Sequence, residues 1–112
     1  MEDCLFCKIS KGLVPSTKVY EDEYVYAFND IDPKAPVHVV IVPKKHYDNI
    51  LEIDDDKIKA ALIDSVKKIA KLKSLDENGF RVVINTGSDG GQTVNHLHFH
   101  LLGLRQLQWP PG

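Results

Sequence analysis

Residues 96–102 read His-Leu-His-Phe-His-Leu-Leu. Polar and apolar residues alternate with period two as far as Leu101. That period belongs to an extended strand, because successive side chains of a strand point to opposite faces. His96, His98 and His100 are thereby set on one face, roughly 7 Å from one to the next. Leu97, Phe99 and Leu101 are set on the other and must pack on a core. Imidazole is a poor core group unless both ring nitrogens find partners, so three in a row on one face point beyond a structural strand. Two chemistries use such an array: chelation of a metal, and a nucleophile with its proton-transfer partners. Metallohydrolase sites usually add carboxylates close by. Here the nearest acid upstream is Asp89, and none follows, which favours nucleophilic chemistry at His98 with His96 and His100 beside it.

The segment before the triplet, Gly87-Ser88-Asp89-Gly90-Gly91-Gln92-Thr93, is glycine-rich. Paired glycines let backbone N–H groups approach an anion closely, and a turn of such groups makes an anion-binding concavity. A Gly-Gly turn alone is only a turn. Joined to three same-face histidines it reads as a phosphate cradle formed by Gly91, Gln92 and Thr93. His38 lies inside the apolar run Val37 to Val42. It is either a satisfied core histidine or a group brought across the sheet to the triplet, and spacing leaves both open.

The rest of the chain predicts a small α+β domain with a mostly antiparallel sheet. Cys4 to Lys11 is a short helix ended by Gly12. Lys18 to Glu21 and Tyr24 to Phe28 form a hairpin around Glu21-Asp22-Glu23. Asn29 to Pro36 is a loop, since its two prolines exclude regular structure. Val37 to Val42 is a buried strand closed by Pro43. Asp54 to Leu75 is the one long helix, with Asp54 as N-cap and Asp55 and Asp56 at the positive end of the dipole. Its apolar stripe is Ile58, Ala61, Leu62, Ser65, Val66 and Ile69. Phe80 to Asn85 and His96 to Leu102 complete the sheet.

At 112 residues the chain fits one domain, 1–112. Its formal charge of −2 and lack of a basic stripe argue against nucleic-acid binding and electrostatic membrane attachment. No apolar run approaches the ~20 residues of a membrane span. Met1-Glu2-Asp3-Cys4 has no signal-peptide character, so a cytoplasmic setting is expected. In a reducing compartment Cys4 and Cys7 are a redox pair, half of a metal site or two isolated thiols rather than a structural disulfide.

The run from Gly90 to Leu102 resembles the signature of the histidine-triad (HIT) family, His-φ-His-φ-His-φ-φ with φ apolar. Cys4-Leu5-Phe6-Cys7-Lys8-Ile9 is similar to the family's opening, Phe28-Asn29-Asp30-Ile31 to its ribose-binding segment, and Val37 to His46 to its central strand. Trp109-Pro110-Pro111-Gly112 is similar to the Hint branch, the purine nucleoside phosphoramidases. The resemblance implies a five-stranded antiparallel sheet with one long and one short helix, pairing into a homodimer. It implies hydrolysis of nucleoside 5′-phosphoramidates of the AMP-lysine or AMP-NH2 type through a nucleotidyl-His98, with no cofactor needed for catalysis. His100, His38, His96 and Thr93 would assist. Purine nucleotides would lie on Asp30, Asn29 and Ile31, with Leu5, Phe6, Ile9, Phe28 and Val40 around the base and Asn85, Gly91, Gln92, Thr93, His98 and His100 around the phosphate. Other branches, the galactose-1-phosphate uridylyltransferases among them, bind zinc at positions matching Cys4, Cys7, His46 and His96. Two ordinary thiols beside a surface His46 is the alternative. The chain departs from the Hint pattern at Asn95 (an aromatic there), at Leu104 (a second glycine) and at Thr93 (Ser). The first two leave substrate preference open.

Overall fold

A computed structural model describes residues 3–112; Met1 and Glu2 lie outside the described residues. The elements follow the sequence order expected. They are α1 (Leu5–Ser10), β1 (Lys18–Glu21), β2 (Val25–Asn29), β3 (Val37–Pro43), a 3-10 turn at Ile50–Glu52, α2 (Asp56–Leu72), β4 (Phe80–Val83) and β5 (Phe99–Gly103). The five strands form one antiparallel sheet in the order β1-β2-β3-β5-β4. None of the described helices is long and apolar enough to cross a membrane.

The sheet has two unlike faces, and strand parity sorts them. Val25, Ala27, Val39, Ile41, Phe99 and Leu101 point to the α2 side. There they pack with Ile58, Leu62, Val66 and Ile69 of the helix stripe, and with Leu97, into the main core. Ser65 completes that stripe: it is fully buried, and its hydroxyl donates to the Leu62 carbonyl at 2.7 Å. Tyr26, Phe28, Val40 and Val42 point the other way and pack with Phe6 and Ile9 of α1 into a smaller cluster. Val40 stands opposite His100 and His38 opposite Leu102 in the β3–β5 ladder. His38 and His100 therefore share the α1 face.

Several boundaries differ from the sequence expectation, each for a local reason. The N-cap of α2 is Asp55, not Asp54. The Asp55 carboxylate accepts the N–H groups of Lys57 and Ile58, while Asp54 accepts the Tyr47 hydroxyl at 3.0 Å. The helix ends at Leu72 rather than Leu75. Ser74 turns into the left-handed region at φ 60°, its N–H donating to Lys71 and that of Leu75 to Ala70. That is a Schellman motif, and it drops Leu75 into the core fully buried. Strand β4 stops at Val83, two residues short of Asn85. Strand β5 starts only at Phe99, so His96 and His98 precede the ladder. Pro43, on the facing strand, has no N–H to donate, and its carbonyl is taken by the His96 ring.

Gly103 makes room for the buried Leu75: a Cβ there would sit 2.5 Å from the Leu75 side chain and force it to shift. Leu104 follows in the left-handed region at φ 66° and is half exposed. That conformation costs a residue with a Cβ roughly 1–2 kcal/mol. The absent second glycine therefore has a backbone cost here. Leu104→Gly is expected to stabilise the fold by about 1 kcal/mol, raising the urea midpoint with the slope unchanged. A lower midpoint would show that the Leu104 side chain contributes more than the strain costs.

Candidate active site

Alternation survives the irregular run-in to β5. His96 and His98 turn to the α1 face with His100, while Leu97 joins the core beneath α2. The Phe6 ring packs edge-on against both His96 and His98, with its centroid 4.9 Å from the latter. His98 and His100 have centroids 5.0 Å apart, and those of His38 and His100 are 5.1 Å apart. Spacing had left His38 open; the structure brings it to the triplet.

Burial pushes the His38, His96, His98 and His100 rings toward neutrality. His96 and His100 are lowered to about 4, and His38 and His98 move in the same direction; loss of hydration is the first cause in each. A neutral imidazole has one N–H and one lone pair, and its neighbours decide which is where. The buried His98 Nδ1 lies 2.7 Å from the His96 carbonyl oxygen. A carbonyl only accepts, so Nδ1 carries the proton and Nε2 the lone pair. The Lys34 backbone N–H donates to His38 Nδ1 at 3.0 Å, so the His38 proton is on Nε2. That proton faces His100 Nδ1 at 2.9 Å and the Asp30 carboxylate at 3.4 Å. The proton of His100 is left on Nε2. The result is a lone pair on His98 Nε2, beside two hydrogen-bonded rings, His100 and His38, that end on the Asp30 carboxylate.

The same reasoning separates two clusters that could hold a metal by distance alone. In the first, His96 Nε2–H donates to the Pro43 carbonyl at 2.9 Å and His46 Nε2–H to Asp48 at 2.8 Å. Both Nδ1 lone pairs then face inward 3.2 Å apart, with Cys4 Sγ 3.1 Å from His96 Nδ1 and Cys7 Sγ 3.4 Å from His96 Nδ1 and 3.5 Å from His46 Nδ1. Tetrahedral zinc, at about 2.0 Å from nitrogen and 2.3 Å from sulfur, separates its ligand atoms by roughly 3.3–3.8 Å. Two converging lone pairs and two thiols fit that ion in number, softness and spacing, and the Asp48 and Pro43 contacts are the outer partners such histidines need. Burial and the neighbouring Cys4 push the free Cys7 thiol up to about 11, so an ion would have to displace its proton. In the second cluster, Asp30, His38 and His100, the proton on His38 Nε2 points where an ion would sit.

The glycine loop is held from within. Asn85 Nδ2 donates to the Gly90 carbonyl at 2.6 Å. The Gln92 side chain accepts from the Gly87 N–H and donates to the Asp48 and Val94 carbonyls. The backbone N–H groups of Gly91 and Gln92 are also spent inside the loop. Gln92 is therefore a brace of the loop, a role that its residue type did not reveal. Thr93 and Asn95 are exposed and line a concavity with Cys4 and His46. Asp30 holds one carboxylate oxygen to the Asp32 N–H at 2.8 Å and turns the other toward His38. Asn29 is half-buried at the end of β2. Phe6, Ile9, Phe28 and Val40 are buried against one another, while Leu5 and Ile31 are exposed at their edges.

Residues 11–107 match the HIT domain model. The chain belongs to the HIT family. It is 45% identical to the 14 kDa zinc-binding protein of Brassica juncea over 98% of this chain and all of that one. Its fold superposes on a HIT family hydrolase of Legionella pneumophila with a TM-score of 0.94 at 48% identity, covering 98% and 100% of the two chains. It also superposes on the histidine triad nucleotide-binding protein of Candida albicans, with a TM-score of 0.85 at 39% identity over 96% and 83%. The five-stranded antiparallel sheet with one long and one short helix is the architecture of this HIT chain.

Acid should act on His100 with a definite sign. The His100 ring is lowered in the fold from 6.5 to about 4. Between these values the unfolded chain holds the extra proton, so stability is full above pH 6.5 and is lost as pH falls toward 4. His100→Gln should flatten the rise of unfolding free energy with pH across that window, measured by urea titration at pH 4.5, 5.5 and 7.5. An unchanged slope would mean that His100 titrates normally.

Proposed function

We propose that this HIT protein is a nucleotide hydrolase or transferase of the Hint kind. It cleaves the P–N bond of nucleoside 5′-phosphoramidates, AMP-lysine or AMP-NH2 in type, and binds AMP- or GMP-like purine nucleotides. The observation that carries this reading is the His98 tautomer: a buried, neutral ring whose inner nitrogen gives its proton to the His96 carbonyl, leaving the lone pair on Nε2. The hydrolase and nucleotide-binding names of the Legionella and Candida structures agree with it.

In this reading Nε2 attacks the α-phosphorus in line. The P–N bond to the amine breaks as the new P–Nε2 bond forms, and the amine leaves with a proton passed through His100. Water then attacks the nucleotidyl-His98. Its O–P bond replaces P–Nε2, and the proton it releases refills the relay of His100 and His38. Two easier displacements replace one hard one, and the protein supplies mainly position and charge neutralisation. The Thr93 hydroxyl would meet the phosphate, beside the loop that Asn85 and Gln92 shape. Asp30 would accept the ribose hydroxyls beside Asn29 and Ile31. Leu5, Phe6, Ile9, Phe28 and Val40 would frame the base.

The chemistry needs no cofactor in this account. Cys4, Cys7, His46 and His96 would hold a zinc ion whose contribution is structural, in keeping with the zinc-binding name of the Brassica relative. Two chains would pair as a homodimer, since the strand order leaves β1 and β4 each with an unpaired edge. A cytoplasmic setting would keep both cysteines reduced.

Turnover of an adenosine phosphoramidate is the test. His98→Ala should lower kcat below detection, and Asp30→Ala should weaken AMP binding about tenfold, the loss of a charge-assisted hydrogen bond. Retained turnover in His98→Ala would refute the nucleophile, and unchanged AMP affinity in Asp30→Ala would refute the ribose site.

A further inference from the structure

His98 owes its reactive tautomer to the carbonyl of His96, and no strand pairing holds that carbonyl. The β3–β5 ladder begins with Phe99 opposite Ile41, three residues farther on. Four other contacts fix the His96 peptide. Its N–H donates to Val94 at 2.9 Å, and the next N–H, of Leu97, donates to the Tyr47 carbonyl at 2.7 Å. Its ring gives Nε2–H to Pro43 and aims Nδ1 at Cys4, Cys7 and His46. Tyr47 is itself the neighbour of the ligand His46. On the other side of the ring stands α1. Six residues are too few for a helix to persist unaided. This one is capped by the Cys4 sulfur, which accepts the Cys7 N–H at 3.2 Å, and it carries Phe6 onto the His98 ring and Ile9 into the apolar cluster.

We infer that the Cys4, Cys7, His46 and His96 cluster is the positioning device of the active site, with His96 as its positioning residue. Ligation by the four side chains fixes the His96 peptide, which fixes the His98 proton on Nδ1. It also pins α1, which fixes the Phe6 wall of the base slot. A metal-free chain would keep the core under α2, to which the cluster itself contributes no side chain. It would lose the single His98 tautomer and part of the slot. The inference rests on the proposed nucleotide reading only for the name of the slot's occupant. Cys4 and His46 also line an open concavity of about 870 Å³ with Asp48 and Thr93, so the ion should exchange with chelator in the folded protein.

The experiment compares zinc-loaded protein, chelator-stripped protein, stripped protein with zinc restored, and Cys7→Ser. Zinc content is measured by elemental analysis, the His98 tautomer by ring ¹⁵N shifts, AMP affinity by calorimetry, and the α2 core by its methyl spectrum. The loaded protein should hold one zinc and show His98 Nδ1–H alone. Stripping and Cys7→Ser should mix the tautomers and weaken AMP about tenfold, in the range set by outer partners of metal sites, with α2 methyl shifts unmoved and zinc restoring the stripped form. An absence of zinc, or a His98 tautomer and AMP affinity unchanged by its loss, would overturn the inference. Should stripping unfold the chain, so that the α2 core is lost as well, the inference falls too, because the cluster would then be a general staple. Failure of the loaded protein to bind AMP would count against the nucleotide reading alone, since the ¹⁵N shifts still report the coupling.

Discussion

A neutral imidazole carries one proton, and whichever nitrogen meets an acceptor takes it. The whole α1 face of the sheet is organised by that rule. Burial keeps the His38, His96, His98 and His100 rings neutral, and three backbone groups then assign the lone pairs. The Pro43 carbonyl sets His96, the His96 carbonyl sets His98, and the Lys34 N–H sets His38 and through it His100. Rings of one chemical type therefore differ in where their lone pairs face: His96 toward the two cysteines and His46, His98 outward through Nε2, and His38 and His100 along one hydrogen-bonded line to Asp30. Side-chain identity alone could not have divided them.

The fold's task is to bring those three backbone groups to the rings. The main core under α2 fixes β3 and β5, and so places Val40 opposite His100 and His38 opposite Leu102. Pro43 closes β3 with a carbonyl but no N–H, which frees the chain before Phe99 from the ladder and gives the His96 ring its acceptor. The loop ahead of it is braced by Asn85 and Gln92 rather than by strands. An irregular segment held by side chains can set an imidazole where a regular ladder would spread the rings to the pleat spacing.

Much of this was legible in the sequence because it depends on period. The alternation around His98 chose the face, the spacing from Ile58 to Ile69 chose the helix stripe, and the acidic turn at Glu21-Asp22-Glu23 marked the hairpin. What was not legible depended on partners distant in the chain. Three consecutive aspartates, Asp54 to Asp56, are equivalent as caps until Tyr47 recruits the first. Leu75 looks like a continuing helical residue until the core takes it after a left-handed Ser74. Gln92 looks like a phosphate contact until its amide is found bonded to the Asp48 carbonyl, 44 residues away in sequence. His38 had two readings that only the β3–β5 register could separate.

The central claim is that His98 Nε2 bonds to phosphorus. It is tested most directly by rapidly quenching the wild-type protein with a labelled adenosine phosphoramidate and sequencing the labelled peptide by mass spectrometry. An acid-labile adenylyl group on His98, formed and lost at rates compatible with turnover, is the expected result. Turnover with no covalent nucleotide on the protein, or with the label on His96, His100 or Thr93 instead, would contradict it.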